Sequence, residues 1–422
     1  MTDLNTQSSP AHTPTLAPTT WDESVDFLVV GSGAGGMTAA LTAKHQGLST
    51  LVIEKSEAYG GTTAVSGGVI WLPNNQHMAK AGIADSFVDA QAYLQQVVSA
   101  DVARPRLRAY IQQSIKMLAF LEKNSHVKYQ AAAEYPDYYP ELEGGKQGAR
   151  SLDPQAFSVR ELGDELAAQM RHDGVKRSNG FSLTADEAHK VFSFTWKSNL
   201  IIIKRVLAYW LDIPRRLKGL PDSRLTLGRA LIGRLRRSLV DSDIPLWLNT
   251  PAIALIKNGD KVVGVRCEKD GRPFYIEARK GVLLATGGFS HDAALRGEHH
   301  PDARAAQWTA AMPCDSGDGI HLGQAAGAQL AMMDYAWWTP TMIMPSGFVE
   351  ALIMGKSMPG CMAVNQAGQR FCNEASPYED FVKAQYAAHT ERLAIIITQY
   401  QIINNGIRKH QAMPLAVFGD VR

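Results

Sequence analysis

Cysteine is scarce in this chain. There are four in 422 residues, Cys267, Cys314, Cys361 and Cys372, with no Cys-x-x-Cys pair and no zinc-type spacing. That pattern excludes a disulfide-stapled scaffold and a cysteine-built metal centre, and it fits a reduced, cytoplasmic setting. Net charge is nearly absent as well: 43 basic against 41 acidic residues leave +2. Such a balance offers no footprint for nucleic acid or for a strongly acidic partner. No run of about 18 apolar residues occurs; the nearest, Asn199 to Ile213, is interrupted by Lys204, Arg205 and Asp212. It reads as an amphipathic helix packed on the protein body, with membrane contact at most peripheral. The start of the chain lacks the basic end and apolar stretch of a signal peptide. Rich in Thr, Pro and Ser, residues 1–21 are expected to be a disordered tail.

Against these absences stands one dense motif. The apolar run Asp26-Phe27-Leu28-Val29-Val30 leads into Gly31-Ser32-Gly33-Ala34-Gly35-Gly36, and Met37-Thr38-Ala39-Ala40-Leu41 follows. This is a buried strand, a glycine-rich turn and a helix start. In such a unit the first glycine makes the tight turn, the second admits a pyrophosphate close to the backbone, and the third lets helix and strand pack. The helix N-terminus then offers unpaired N–H groups and positive dipole to phosphate. A second apolar strand, Ser49 to Ile53, ends in Glu54, an acid placed to accept hydrogen bonds from a ribose. Together these predict a dinucleotide-binding α/β unit. Next comes Gly60-Gly61-Thr62-Thr63-Ala64-Val65-Ser66-Gly67-Gly68, whose glycines argue against a regular element and for backbone pressed against a ligand.

Residues 85–242 read as a largely helical insertion. Within it Pro105 suits a helix start, and Leu107, Ile111, Ile115, Leu118 and Leu121 form one face. The stretch 129–154 is irregular, and Arg234, Arg236 and Arg237 read as a solvated face. From 251 to 286 short alternating runs with Asn258-Gly259 and Asp270-Gly271 between them predict a β-meander. It feeds the buried strand Gly281 to Ala285, which ends in Thr286-Gly287-Gly288-Phe289. A glycine pair at a strand's carboxyl end brings more backbone to the same crevice. A second domain is expected over 289–422, after a first one over 22–288. It carries Ser316-Gly317-Asp318-Gly319, a helix from Ile320 to Gly327, Trp337-Trp338, and a block running from Asn365 through Arg370, Asn373 and Glu374 to Tyr378.

In this order the motifs resemble the succinate dehydrogenase and fumarate reductase flavoprotein superfamily, and within it the 3-oxosteroid Δ1-dehydrogenases. The resemblance runs from about Asp26 to about His389; Pro136-Asp137-Tyr138-Tyr139-Pro140 and the Trp337-Trp338 pair carry the subgroup. It implies a Rossmann-type FAD-binding domain with a β-meander and helical insertion, joined to an incomplete α+β catalytic cap domain. FAD is the implied cofactor, with its ADP half on Gly31, Ser32, Gly33, Ala34, Gly35 and Gly36. Glu54 would meet the adenosine ribose, and Lys55 is counted among the cofactor contacts. Gly60, Gly61, Thr62, Thr63, Ser66, Gly67 and Gly68, with Thr286, Gly287 and Gly288, would follow the cofactor toward the flavin. No histidine lies between His45 and His77, so non-covalent FAD is expected. No metal is implied.

Fumarate reductases carry a His-Pro-Thr motif where this chain has Ala336-Trp337-Trp338-Thr339-Pro340, which argues against a dicarboxylate substrate. Two indoles offer a large apolar area and suit a 3-ketosteroid. The reaction implied is α,β-desaturation of the ketone, with a quinone-like acceptor reoxidising the flavin. By residue-to-residue match Tyr378 is the base and Tyr138 its assistant, with Tyr139 as a rival to Tyr138. A free phenol has a pKa of about 10, so such a base must be tuned by neighbours. The family also uses a third tyrosine and a glycine N–H near the C-terminus to bind the substrate carbonyl. Thr390 to Arg422 does not resemble that segment. A deleted or frameshifted coding end, or a divergent short member, would explain this. The chain is therefore expected to bind FAD poorly and turn over little. A 3-oxosteroid 4,5-desaturase and an inactive FAD- or steroid-binding remnant are the alternatives.

Overall fold

The computed structural model describes residues 15–16, 18–172, 182–192, 196–300, 308–343, 349–353, 355–357, 361–365, 367–388, 395–398 and 416–417. The chain forms two compact units. The first comprises Met1–Gly287 with Asp318–Ala328, and the second Gly288–Gly317 with Gln329–Arg422.

The first unit is built on a seven-stranded sheet. Its strands are β1 (Thr15–Leu16), β2 (Glu23–Val30), β3 (Thr50–Ile53), β4 (Leu246–Trp247), β5 (Ala252–Asn258), β6 (Lys261–Lys269) and β7 (Arg272–Leu284), in the order β1-β5-β6-β7-β2-β3-β4. The run β7-β2-β3-β4 is parallel, and β5-β6-β7 is the antiparallel meander. Asp270 and Gly271, both with positive φ (52° and 72°), close the β6–β7 hairpin between the paired Lys269 and Arg272, as a two-residue primed turn requires. Of the expected tail, Thr15–Leu16 pair in parallel with Ile256–Lys257, while residues 1–14 and 17 lie outside the described residues.

Alternation along β2 feeds two cores. Val29 joins Met37 and Ala40 of α1 (Ala34–His45) and Leu231 and Leu235 of a later helix, α5 (Leu227–Asp241). Leu28 and Val30 join Leu51, Ile53, Val265, Ile276 and Leu322. Leu322 belongs to α6 (Asp318–Ala325). This helix was assigned to the second domain from its position in the chain, yet its apolar side completes the first unit's core. Lys257 Nζ also donates to Ala326 O at 3.1 Å, and Lys55 Nζ pairs with Asp318 at 2.6 Å.

Among the helices between α1 and α5 are α2 (Gly61–Val65), α3 (Arg104–Asn124) and α4 (Trp196–Leu211). The glycine-rich stretch does contain a regular element, because Gly60 at φ 111° lets the chain turn into the single helical turn of α2. Helix α3 has Pro105 in its first turn and buries Leu107, Ile111, Ser114, Leu118 and Leu121, with Ile115 only half-buried. Helix α4 departs from expectation. Trp196, Leu200, Ile203, Leu207 and Trp210, spaced three or four apart on one face, are exposed, the two tryptophans at 69% and 65%. The apolar side thus faces outward rather than onto the protein body. Among the described residues no helix is long and apolar enough to cross a membrane. Two of the three arginines of α5, Arg234 and Arg236, are not on a solvated face either. Arg234 donates to the carbonyls of His126, Gln155 and Ala156, Arg236 lies over the Tyr59 ring, and Arg237 pairs with Asp241.

In the second unit, Thr341–Ile343 pairs with Val349–Ala351, and Cys361–Val364 pairs with Ile395–Thr398. Ala363 packs with Phe381 and Val382 of α7 (Tyr378–Ala387), flanked by Trp338, Phe371 and Tyr386. Beyond residue 388 only 395–398 and 416–417 are described; the expectations for the remainder of that segment lie outside the described residues.

Candidate functional site

The glycine motif sits at the carboxyl end of β2, between β3 and β7, where α1 begins. Gly31 has φ 108°, and a Cβ there would fall 2.3 Å from Ala285 O at the end of β7. Only glycine fits this approach of two backbones. Gly33 is the N-cap of α1 and makes no side-chain cap, and the first turn holds no acidic residue. An added Cβ would meet nothing within 4 Å at Gly35, and only Thr63 Oγ1, at 3.7 Å, at Gly33. An open, uncapped, acid-free helix start is the surroundings a diphosphate needs. The residues present therefore fit the ADP half of FAD.

Glu54 is buried and braces this loop. Its Oε2 accepts from Ser32 N at 3.1 Å and Ser32 Oγ at 2.6 Å, and its Oε1 accepts from Ser56 N at 3.0 Å. Oε1 keeps acceptor capacity for a ribose hydroxyl. Ser32 Oγ in turn accepts from Gly60 N at 3.0 Å, so one serine ties the phosphate loop to the second glycine loop. Thr63 Oγ1 accepts from Ala34 N at 3.3 Å, and Ser66 Oγ is held locally by Thr63 O and Gly68 N; Thr62 and Gly67 are exposed. The second loop rests on α5: Gly228 N donates to Ser66 O at 3.0 Å, and a Cβ on Gly228 would lie 1.9 Å from Thr63 O. Sequence reading missed Gly228, because only the fold brings it to a loop so distant in the chain. Lys55 is engaged by Asp318. Thr286 stands where a Cβ on Gly319 would meet its hydroxyl at 2.2 Å. Gly288 falls in the second unit, and its N–H is donated to Asp315 at 2.5 Å, as is the Ser290 hydroxyl at 2.8 Å. That N–H is therefore committed to Asp315 rather than offered to a cofactor.

Tyr138 is exposed in a loop anchored through its neighbour Asp137. The buried Asp137 carboxylate accepts from Trp71 Nε1 at 2.7 Å, Lys146 N at 2.9 Å and Arg150 Nη1 at 2.8 Å. Arg150, 1% exposed, also makes a two-bond pair with Asp85 at 2.7 and 2.8 Å, and lies near the rings of Trp71 and Tyr93. Tyr139 is half-buried, and its N–H donates to Tyr93 Oη at 3.3 Å. The exposed phenol is therefore that of Tyr138. Arg150 and Asp85 were not singled out from the sequence; a lone arginine carries no signal of being buried.

Tyr378 opens α7 in the second unit, directly after the N-cap Pro377. Trp337, 75% exposed, stacks on its ring with centroids 6.3 Å apart and planes at 18°. Trp338 instead sits edge-on to His300 (5.1 Å) and Tyr386 (5.7 Å) and, partly buried, packs against the core of the unit. The two tryptophans, expected to act together, have different surroundings. Both line a cavity of about 340 Å³ within the second unit, with Phe289, Trp308 and Tyr335 among the other aromatic walls. Burial, with Arg296 and His299 nearby, holds the His300 imidazole below its usual pKa. Just before Tyr378, Glu374 accepts from Ala363 N at 2.8 Å and from Arg370 at 2.6 Å, and the Arg370 bonds hold its carboxyl down at about 2. Tyr138 and Tyr378 belong to different units.

A sequence profile described as the FAD binding domain matches residues 26–410. A crystal structure of the 3-ketosteroid Δ1-dehydrogenase from Sterolibacterium denitrificans, in complex with 1,4-androstadiene-3,17-dione, is 39% identical with a TM-score of 0.85, covering 90% of this chain and 69% of that one. The chain belongs to this FAD-binding family of 3-ketosteroid dehydrogenases. The family also includes the 3-oxosteroid 1-dehydrogenase of Mycobacterium tuberculosis, 36% identical over 372 residues, which cover 86% of this chain and 65% of that protein. Relative to that curated member, the chain thus spans 65% of the length. The fold extends further: the 3-ketosteroid-Δ4-(5α)-dehydrogenase of Rhodococcus jostii shares it at 20% identity, with a TM-score of 0.62 and coverage of 92% and 69%.

Proposed function

We propose that this chain is a 3-oxosteroid 1-dehydrogenase, introducing the Δ1 double bond into a 3-ketosteroid. The observation that carries the reading is the 39% identity and TM-score of 0.85 to a Δ1-dehydrogenase bound to a Δ1,4-dione. It is supported by Tyr378 at a helix start beneath an exposed indole. The ketone acidifies the proton on C2, and Tyr378 Oη takes it, with Tyr138 assisting. The positive end of the α7 dipole favours the phenolate, while Glu379 and Asp380 in the first turn oppose it. Trp337 supplies an apolar face for the steroid. Flavin, when bound non-covalently along the Gly31–Gly36 loop, supplies the acceptor for the hydride from C1. The test is direct. Chain reconstituted with excess FAD should reduce an artificial acceptor with 4-androstene-3,17-dione and yield 1,4-androstadiene-3,17-dione, at the low rate expected of it, and Tyr378→Phe should abolish this. A Δ4 product from a 5α-reduced steroid would instead support the 4,5-desaturase. Bound flavin or steroid without turnover would support a binding remnant.

We further infer that the exposed face of α4 rests on a membrane surface on the cytoplasmic side, where an apolar substrate and a quinone-like acceptor both partition. Two exposed tryptophans with Leu200, Ile203 and Leu207 between them, and Lys204 beside them, suit an interfacial helix. Co-sedimentation with lipid vesicles should fall sharply in Leu200→Glu/Leu207→Glu. Unchanged sedimentation would refute it.

A further inference from the structure

Lys356 is 2% exposed, an unusual place for a lysine. It lies in the short 3-10 turn Gly355–Ser357 of the second unit. Its Nζ donates to Glu374 O at 2.7 Å, to Ser376 O at 2.6 Å and to Ser357 Oγ at 3.3 Å. Ser357 Oγ also donates to Glu374 O, at 3.1 Å. Among the described residues all three ammonium protons therefore go to neutral oxygens. The Glu374 carboxylate is occupied elsewhere, by Ala363 N and Arg370. The ammonium also stands 5.5 Å from the centroid of Phe381, one turn into α7. Burial lowers the Lys356 pKa, opposed by Cys372 and Glu374.

The two carbonyls that Lys356 holds belong to Glu374 and Ser376, and Pro377 and Tyr378 follow at once. Pro377 has no N–H and a fixed φ, so the path into α7 is determined by how residues 374–376 are held. We propose that Lys356 is the positioning residue for Tyr378: it clamps the two carbonyls that lead into α7 and holds its positive charge against Ser376 O, two residues before that helix begins. This rests on the reading of Tyr378 as the base. The charge sits 2.6 Å from Ser376 O, two residues before Tyr378, and so favours the ionised phenol. For a charge on the order of 10 Å away and an effective dielectric of about 20, the shift is about one pKa unit. Glu379 and Asp380 act in the opposite sense. Glu379 is paired with Lys383 at 2.7 Å and Glu374 with Arg370 at 2.6 Å, which weakens their opposition.

The test reads Tyr378 itself and requires no turnover. The full chain is labelled with ¹³Cζ-tyrosine, and the Tyr378 signal is identified by its loss in Tyr378→Phe. In the wild type its midpoint should lie below the free phenol's value of about 10. Lys356→Gln, which keeps a donor but loses the charge, should raise the midpoint by about one unit. Lys356→Met should raise it similarly and broaden the signal, because the loop is also released. Ser357→Ala, which removes a bond but no charge, should leave it in place. A Tyr378 midpoint unmoved by Lys356→Gln overturns the proposal. If the Lys356 variants fail to fold, a wild-type midpoint at or above the free value overturns it. If Tyr378→Phe keeps full steroid turnover while the titration behaves as stated, the catalytic assignment fails and the positioning role stands.

Discussion

Arg150→Met is the most telling single replacement in the first unit. Arg150 and the carboxylates of Asp85 and Asp137 are 1–2% exposed, and the guanidinium makes three hydrogen bonds of 2.7–2.8 Å to them. Methionine fills the volume but leaves the Asp137 carboxylate without its cation and Asp85 with only Lys146, 3.9 Å away. Removing one partner of a buried pair costs about 3–5 kcal/mol. For a cooperative unit of this size that is a Tm lower by about 5–8 °C, measured by differential scanning calorimetry. The triple variant with Asp85→Asn and Asp137→Asn should recover several degrees over Arg150→Met. A Tm change below about 2 °C, or a triple variant no more stable than the single one, would refute the claim that this arginine neutralises the loop beneath Tyr138.

Other consequences follow from burial and contact. Trp337→Ala should raise KM for a steroid with little change in Tm, whereas Trp338→Ala should cost about 3–5 kcal/mol of stability, because only the second indole is packed; equal thermal losses would refute the distinction. Gly228→Ala drives a methyl against Thr63 O and should lower both bound flavin and Tm, read from the absorbance ratio of purified protein and from its melting curve. Burial pushes the Asp153 carboxyl up to about 6, so the folded state holds its proton longer than the unfolded chain does. Stability should fall as pH rises from about 4 to about 6 and stay level above; Asp153→Asn should flatten that stretch of a Tm-versus-pH curve and raise Tm at pH 7.

What could be read without the fold was whatever local geometry demands of a residue type. The turn at Gly31 admits no side chain, and the Asp270-Gly271 hairpin needs two positive φ values; both leave a mark in the chain. Helical spacing in α4 was equally legible, but spacing says only that a face is apolar, not what covers it. The network around Arg150, the contact of Gly228 with Thr63 and the clamp by Lys356 join residues distant in sequence, and ordinary residue types gave no hint of burial. The tryptophan pair was legible as apolar surface. Its division into a packed indole and an exposed one depends on which side of the backbone each leaves, which adjacency in sequence does not convey.

Helix α6 has a further consequence for how the molecule is made. The chain leaves the first unit after Gly287, returns for Asp318–Ala328 and leaves again. The nascent first unit therefore lacks Leu322 in its core and the Asp318 partner of Lys55 until translation has passed residue 328. By then the Gly288–Gly317 segment has already been synthesised. Neither unit is a continuous piece of gene, so no single cut in the coding sequence separates one whole from the other. Synthesis of this protein must carry an unfinished dinucleotide-binding half through the making of part of its neighbour.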